Sequence, residues 1–193
     1  MKAQCPPCPN DISPVHACDW VHPPSCPITF NGPGGCTCTL DYCYRILYGY
    51  PYHDSVTDET TIQSSVISFS TDCDSMFQAV VDSASNVAFT DAATNLHIVV
   101  PCNDGHHYLF GEAYIASCWK LVQTSPNAFV SCNASAGAYC ETKCDICQSS
   151  GLKFNCINIE VGTANCAGGP APTAFANWSI DTCYHPICGT HLH

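Results

Sequence analysis

Basic side chains are scarce in this chain. It has five Lys and Arg residues against sixteen Asp and Glu residues, and its formal net charge is −11. A nucleic-acid surface needs clustered Lys and Arg to neutralise phosphates, and anionic membrane surfaces attract the same residues. The composition therefore argues against nucleic acid as a partner and against an anionic membrane.

Long apolar runs are also missing. No stretch approaches the roughly 20 apolar residues of a membrane-spanning helix, so we expect no membrane span. The first residues, Met1 to Cys5, do not contain the hydrophobic segment of a signal peptide. Because the cysteine content described below indicates export, we expect that a signal peptide has been removed.

Signatures of catalysis are absent as well. The sequence contains no Gly-x-Ser-x-Gly elbow and no glycine-rich phosphate loop. Nothing in it groups a nucleophile, a base and an oxyanion donor. We therefore predict a protein that is not an enzyme and that has no cofactor.

Cysteine, by contrast, is abundant, with 18 residues in a chain of 193. A cysteine content near 8–10% is typical of disulfide scaffolds in secreted proteins. Zinc knuckles need Cys-x2-Cys pairs close together, whereas the two pairs here, Cys5/Cys8 and Cys144/Cys147, lie far apart. We predict that the protein is extracellular or on the cell surface and that all its cysteines are paired. The predicted disulfide residues are Cys5, Cys8, Cys18, Cys26, Cys36, Cys38, Cys43, Cys73, Cys102, Cys118, Cys132, Cys140, Cys144, Cys147, Cys156, Cys166, Cys183 and Cys188.

The cysteines and prolines suggest how the chain is divided. Residues 1–27 are rich in both and predict an extended arm. A cut near residue 101 leaves eight cysteines before it and ten after it, both even numbers. This predicts β modules at 28–101 and 102–193, although one continuous domain at 28–193 fits the pattern nearly as well.

Periodicity predicts a mainly β fold, either a disulfide-stapled β-sandwich or Greek-key-like sheets, with one short amphipathic helix. A hairpin turn separates residues 28–30 from an alternating strand at 36–48, and a loop at 49–61 precedes a short strand at 66–69. The helix is expected at about 72–89, where apolar residues recur on one face. Further strands are predicted at 96–101, 107–122, 128–132, 138–147, 152–161 and 175–180.

Several of these elements together resemble a known group of proteins. They are the run NGxxxCxCTLDYCYR, the helix after Cys73, the sequences Val100-Pro101-Cys102 and Ala116-Ser117-Cys118-Trp119, and the run Cys140…Cys144-x2-Cys147 followed by Ser150-Gly151. Over about residues 25–160 the chain resembles cysteine-rich secreted proteins of unknown function that are common in Bacteroidota and their relatives. The resemblance implies export and a β fold, and it implies no reaction.

Candidate binding residues fall in two groups. Tyr50 and Tyr52 flank a proline in a loop, where exposed aromatic rings could contact a sugar or another protein. Histidine is the commonest metal ligand, but ligand sites need several convergent groups, so we expect no metal site. If the chain does bind a metal, the candidate ligands are His106, His107, His191 and His193.

Three positions are candidates for glycosylation. Asn133 and Asn177 each begin an Asn-x-Ser acceptor sequence. Ser55 lies in a polar loop within Asp54-Ser55-Val56, which resembles the Asp-Ser/Thr-apolar O-glycan sites of Bacteroidota.

Low charge suggests a function in assembly. Only 11% of the residues are charged, against about 25% in an average globular chain, and the edges of β-sheets can pair with a neighbouring subunit. We expect a non-enzymatic structural protein of the cell surface or matrix, which self-associates or binds other surface proteins and can form filaments. The alternatives are a secreted carbohydrate-binding or adhesion module and an extracellular metal-binding protein that uses histidines.

Overall fold

The structure is a computed structural model that describes residues 20–48, 58–73, 77–95, 102, 107–132, 138–148, 152–162 and 165–186. The strands are β1 (Ile28–Asn31), β2 (Thr37–Tyr48), β3 (Asp58–Thr71), β4 (His107–Ala116), β5 (Trp119–Thr124), β6 (Asn127–Ser131), β7 (Tyr139–Gln148), β8 (Leu152–Val161) and β9 (Cys183–Tyr184). One α-helix, α1 (Phe77–Asn95), and two single-turn 3-10 helices, Pro33–Gly35 and Phe175–Asn177, complete the described elements.

These nine strands form one mixed sheet with β3 at its centre. One edge of β3 pairs with β2 in antiparallel fashion. The other edge pairs first with β4, in parallel, and then with β6, in antiparallel fashion. The sheet continues outward from β4 to β7 and β8, and from β6 to β5 and β9, while β1 pairs with β2. Strands from both sides of residue 101 therefore belong to the same sheet.

Helix α1 covers one face of this sheet. Its buried apolar residues recur at intervals of three and four, which is the period of a helix face packed on a core, and they are Phe77, Val80, Val81, Ala84, Ala88, Phe89, Ala92 and Ala93. A Cβ atom at Gly111 of β4 would lie only 1.7 Å from the Phe89 ring. The missing side chain at Gly111 is therefore what allows α1 to approach the sheet so closely.

Aromatic rings fill the core at the first turn of the helix. The Phe77 ring lies 5.0 Å from the Phe129 ring and 4.7 Å from the Trp178 ring, measured between centroids. The Phe69 ring stacks on Phe129 at 5.1 Å, and its centroid lies 5.4 Å from that of Trp119. These contacts join β3, β5, β6, α1 and the segment before β9 into one apolar cluster.

The prediction of a mainly β, disulfide-stapled fold with one helix is confirmed. Among the described residues the strands form one open sheet, and α1 covers its apolar face. The helix spans 77–95, whereas the apolar pattern had placed it at about 72–89. The strand predicted at 96–101 lies outside the described residues. No helix in the described part of the chain is long and apolar enough to cross a membrane.

Three strand predictions were wrong, two in their bounds and one in the type of element. Strand β3 begins at Asp58, inside the predicted loop at 49–61, and extends well beyond the predicted strand at 66–69. The predicted strand at 107–122 is two strands, because at Ser117 and Cys118 the chain leaves β7 and begins to pair with β6. The segment 175–180 is not a strand, since Phe175 and Trp178 are both buried three residues apart around a 3-10 turn.

Candidate functional site

A row of polar residues crosses four neighbouring strands on the face of the sheet opposite α1. Side chains alternate between the faces of a strand, so Glu112, next to Gly111, points away from the helix. The strand register places Arg45 opposite Gln63, Gln63 opposite Glu112, and Glu112 opposite Lys143. We call these four residues the polar ladder. On the next strand, β8, the same row continues with Ile157, which lies opposite Lys143.

Two hydrogen bonds and one ion pair connect the polar ladder from end to end. Arg45 Nε donates to Gln63 Oε1, and Gln63 Nε2 donates to Glu112 Oε2. Lys143 Nζ then lies 3.7 Å from Glu112 Oε1. Arg45, Gln63 and Glu112 are at most 7% exposed, so for the atoms that take part these bonds replace hydrogen bonds to water that are lost on folding.

The adjacent row adds a tyrosine and a second carboxylate. The Tyr114 hydroxyl donates to Glu112 Oε2 at 2.7 Å and accepts from Gln63 Nε2 at 3.0 Å. Glu141 Oε1 lies 3.4 Å from Lys143 Nζ, so one ammonium group lies beside both carboxylates. Burial, reinforced by Glu112, raises the pKa of Tyr114 above its usual range, so this hydroxyl stays protonated and remains a donor.

The environment of Glu141 disfavours its charged form. Burial raises the pKa of its carboxyl above the usual value, and Glu112 raises it further, while Lys143 lowers it. The carboxylates of Glu112 and Glu141 therefore lie close together despite the repulsion between their negative charges. Their hydrogen-bonding capacity is directed at Lys143, Gln63 and Tyr114, so the described geometry resembles a cross-strand clamp more than an open cleft.

Trp20 lies over the buried end of the polar ladder. The Arg45 guanidinium lies 4.6 Å from the Trp20 ring centroid, within the range of a cation–π contact. The Trp20 and Tyr114 rings meet edge to face at 6.3 Å. Paired backbone hydrogen bonds of 2.9 Å between Val21 and Tyr44 hold this segment against β2.

Strand β8 forms one edge of the sheet. It pairs with β7 over all ten of its residues, from Leu152 opposite Gln148 to Val161 opposite Tyr139. No described strand pairs with its other edge. Ile157, in the middle of the strand, is 63% exposed and is the most exposed large hydrophobic side chain among the described residues.

Three cysteine sulfurs meet where β2 begins and β3 ends. Cys36 and Cys73 form a disulfide, and Cys38 Sγ lies 3.7 Å from Cys73 Sγ. All three sulfur atoms lie within 4.8 Å of one another. We call Cys36, Cys38 and Cys73 the sulfur cluster.

The structure joins ten of the cysteines that were predicted to be paired. The bridges are Cys36–Cys73, Cys102–Cys147, Cys118–Cys166, Cys132–Cys183 and Cys144–Cys156. Cys26, Cys43 and Cys140 are also disulfide-bonded. The prediction for Cys38 is wrong: it is a buried free thiol, because the sulfur nearest to it already belongs to the bridge with Cys36. Cys5, Cys8, Cys18 and Cys188 lie outside the described residues.

Most of the predicted ligand and glycan positions also lie outside the described residues. These are Tyr50, Tyr52, Ser55, His106, Asn133, His191 and His193. His107 begins β4, and only its backbone is described. Asn177 is exposed on the 3-10 turn at Phe175–Asn177 and is accessible to a modifying enzyme. These assignments stay predictions.

Sequence reasoning missed the polar ladder. Its four members lie on four different strands, and the sequence of one strand does not show which residues of the neighbouring strands it faces. The available signal was the unusual position of Arg45, the only Arg in a chain that has five basic residues, within the otherwise apolar and aromatic run at 42–48. Only the strand register shows that it meets Gln63 and Glu112.

Comparison of the chain with protein-family models, curated proteins and solved structures gives no significant match. The resemblance to cysteine-rich secreted proteins of Bacteroidota stays a prediction. Function has to be inferred from the geometry described above.

Proposed function

We propose that this chain is a non-enzymatic structural protein of the extracellular space or cell surface, and that it self-associates through the free edge of β8. The observation that carries the proposal is the ten-residue edge strand with Ile157 exposed at its centre. The many disulfides support an oxidising location outside the cytosol.

Strand β8 has few of the features that normally prevent edge pairing. Natural edge strands are interrupted by proline, bulges or charges that point along the edge. The sequence Leu-Lys-Phe-Asn-Cys-Ile-Asn-Ile-Glu-Val contains no proline, and its pairing with β7 shows no register shift. Its two charged residues, Lys153 and Glu160, lie near the ends of the strand, which leaves the centre neutral.

A second copy of the chain fits this edge. Two antiparallel β8 strands related by a two-fold axis at Ile157 would place the two Ile157 side chains against each other. The same register would place Asn155 of each copy opposite Ile159 of the other, on the same face of the continued sheet. Backbone hydrogen bonds would then supply affinity, and the apolar pair at the centre would exclude water.

This contact closes on itself, since a two-fold interface uses the same patch on both copies. It produces a dimer, and a filament needs a second contact. The sequence predicts an extended arm at residues 1–27, and because Val21 pairs with Tyr44 of its own chain, we assign that contact to the part of the arm before residue 20. The filament is therefore proposed as dimers joined by arms.

Cysteine parity also supports contacts between chains. The number of cysteines is even, so the free thiol at Cys38 leaves an odd number to be paired within one chain. At least one more cysteine must then be a thiol or form a bridge to another molecule. A non-reducing gel of the native protein distinguishes these two states.

The test is the variant Ile157→Glu, measured by analytical ultracentrifugation over a range of concentrations. Glutamate at this position faces Lys143 of its own chain, which is favourable, but it would face a second glutamate across the dimer. We expect the dissociation constant of the dimer to rise about tenfold or more, with folding unchanged by circular dichroism.

The matched control is Ile180→Glu. Ile180 is 55% exposed and lies outside the named strands, at an isolated bridge to Leu121. The same substitution there should leave association unchanged. If wild-type protein is monomeric at every concentration, or if both variants weaken association equally, the β8 edge is not the interface.

A further inference from the structure

The sulfur cluster places a thiol beside a disulfide in the interior of the protein. Cys38 is fully buried and Cys73 is 2% exposed, while Cys36 is half-buried. The Cys38 thiol donates a hydrogen bond to Thr71 Oγ1 at 3.2 Å. Thr71 Oγ1 also accepts the Cys73 amide at 3.0 Å, so one side chain positions both the thiol and the sulfur that it faces.

A glycine makes this approach possible. A Cβ atom at Gly32 would lie 2.6 Å from Cys38 Sγ, 3.0 Å from Cys36 Sγ and 3.2 Å from Cys73 Sγ. All three distances are too short for a carbon–sulfur contact. The space that a side chain would fill at Gly32 is therefore the space into which the three sulfurs converge.

We propose that the sulfur cluster is an internal thiol–disulfide exchange site, in which Cys38 attacks Cys73 and releases Cys36 as a thiol at the protein surface. The alternative bridge would be Cys38–Cys73. This proposal does not depend on whether the chain self-associates.

The exchange is balanced without any external oxidant or reductant. Cys38 loses its proton to solvent, and the electron pair of its thiolate forms the bond to Cys73 Sγ. The bond between Cys73 and Cys36 breaks, and Cys36 leaves as a thiolate that takes a proton from solvent. One disulfide and one thiol exist before and after.

The acceptor for the released thiol is already in place. Cys36 Sγ lies 3.1 Å from the carbonyl oxygen of Pro33. A bridged sulfur has no proton to donate, so this contact becomes a hydrogen bond only when Cys36 is a free thiol. Each state therefore has one thiol with a hydrogen-bond acceptor. In the first state the Cys38 thiol donates to Thr71, and in the second the Cys36 thiol donates to Pro33.

The environment of Cys38 favours its protonated, unreactive form. Burial raises the pKa of the Cys38 thiol, and the Asp72 carboxylate raises it further, although the hydrogen bond to Thr71 acts in the opposite direction. Only the thiolate attacks a disulfide. Exchange is therefore expected to be slow at neutral pH and faster in alkaline solution.

Three converging sulfurs also suggest a binding site for a soft metal ion. This alternative requires a different redox state of the three cysteines. Zinc and copper(I) bind thiolates, so all three sulfurs would have to be reduced. In the present state the Cys36–Cys73 bond commits two of them. Metal binding is accordingly an outcome that the experiment must be able to detect.

The first experiment uses the wild-type protein without any substitution. The folded chain is incubated with iodoacetamide at several pH values, quenched, digested without reduction and mapped by tandem mass spectrometry. Exchange predicts that the label appears on Cys36, together with a Cys38–Cys73 bridge, and that labelling accelerates with pH. Label on Cys38 with the Cys36–Cys73 bridge intact would mean simple local opening and would overturn the proposal, and so would no label on either residue.

Two variants isolate the attacking thiol. Cys38→Ser keeps a hydrogen-bond donor to Thr71 and leaves the Cys36–Cys73 bridge in place, so labelling of Cys36 should fall about tenfold or more. Cys36→Ser should fold with the substitute bridge Cys38–Cys73. If Cys36→Ser leaves Cys38 and Cys73 as two thiols, or if the native protein contains one equivalent of zinc or copper by elemental analysis, the site is not an exchange site.

Discussion

The two faces of the central strands differ in chemistry, although alternate residues of the same strands supply both. Towards α1, β3 and β4 present Ile62, Val66 and Ile115, which are at most 7% exposed and belong to the apolar core. Towards the other side the same strands present Gln63 and Glu112, which are equally buried and belong to the polar ladder.

The residues on the two faces are thus buried to a similar extent, but different interactions stabilise them. Apolar contacts have no fixed direction, and their strength follows the area and volume that are filled. A buried hydrogen-bonded row has no such tolerance, because removing one member leaves its partners unsatisfied. The helix face should therefore respond to side-chain volume, and the ladder face to the identity of polar atoms.

The largest effect is expected on the helix face at Phe129. This ring is fully buried and contacts the rings of Phe69, Phe77, Phe175 and Trp178. Phe129→Ala should lower the free energy of unfolding by about 3–5 kcal/mol, because it leaves a cavity among rigid rings. Phe129→Leu, which keeps most of the volume, should cost clearly less.

The measurement is urea denaturation with the disulfides intact, followed by tryptophan fluorescence. Equal losses for the Ala and Leu variants would show that volume does not control this face. The contrast between the two faces would then be incorrect.

A smaller effect is expected on the ladder face at Glu112. Glu112→Ala removes the acceptor of Tyr114 and Gln63 and one of the two carboxylates beside Lys143. We expect a loss of about 2–3 kcal/mol, less than for a fully buried ion pair, since the Lys143 side chain is 44% exposed.

Glu112→Gln keeps an oxygen that accepts from Tyr114 and should recover part of the loss. The same denaturation experiment measures both variants. If Glu112→Ala is as mild as an ordinary surface substitution, within about 0.5 kcal/mol, the polar ladder contributes little and the face tolerates change.

The smallest effect is a difference in pH dependence at Glu141. Burial raises the pKa of this carboxyl, so the folded chain holds the proton more tightly than the unfolded chain. Its contribution to stability is complete below the unfolded pKa of about 4.3. That contribution is lost as the pH rises through the folded pKa.

Glu141→Gln should remove this part of the pH dependence. The free energy of unfolding of the variant should therefore increase relative to that of wild type as the pH rises from acidic to neutral. The free energy of unfolding, measured at a series of pH values, reports the slope. The control Asp145→Asn changes an exposed carboxylate on the same strand and should leave the slope as it is. If the free energy of unfolding of Glu141→Gln has the same pH dependence as that of wild type, ionisation of Glu141 does not destabilise the folded chain.

Local patterns predicted the parts of the fold that depend on local periodicity. Strand β2 was found because its even positions are apolar or aromatic over about ten residues, and α1 because its apolar residues follow a helical period. Strand β3 was mostly missed, because polar residues such as Gln63, Ser64 and Ser65 are buried within it. A central strand with a polar row on one face does not show the alternation that identifies a strand.

The sequence by itself determined the fold class of this protein and its dependence on disulfides. Eighteen cysteines, few charges and two kinds of periodicity are enough for a mainly β, disulfide-stapled chain with one helix, because these features act residue by residue. The tertiary structure alone decided that Arg45, Gln63, Glu112 and Lys143 form one row, that Cys38 is a thiol beside the Cys36–Cys73 bridge, and that β8 is an edge. Those facts depend on strand order and register, which join residues far apart in the chain, and no local pattern contains them.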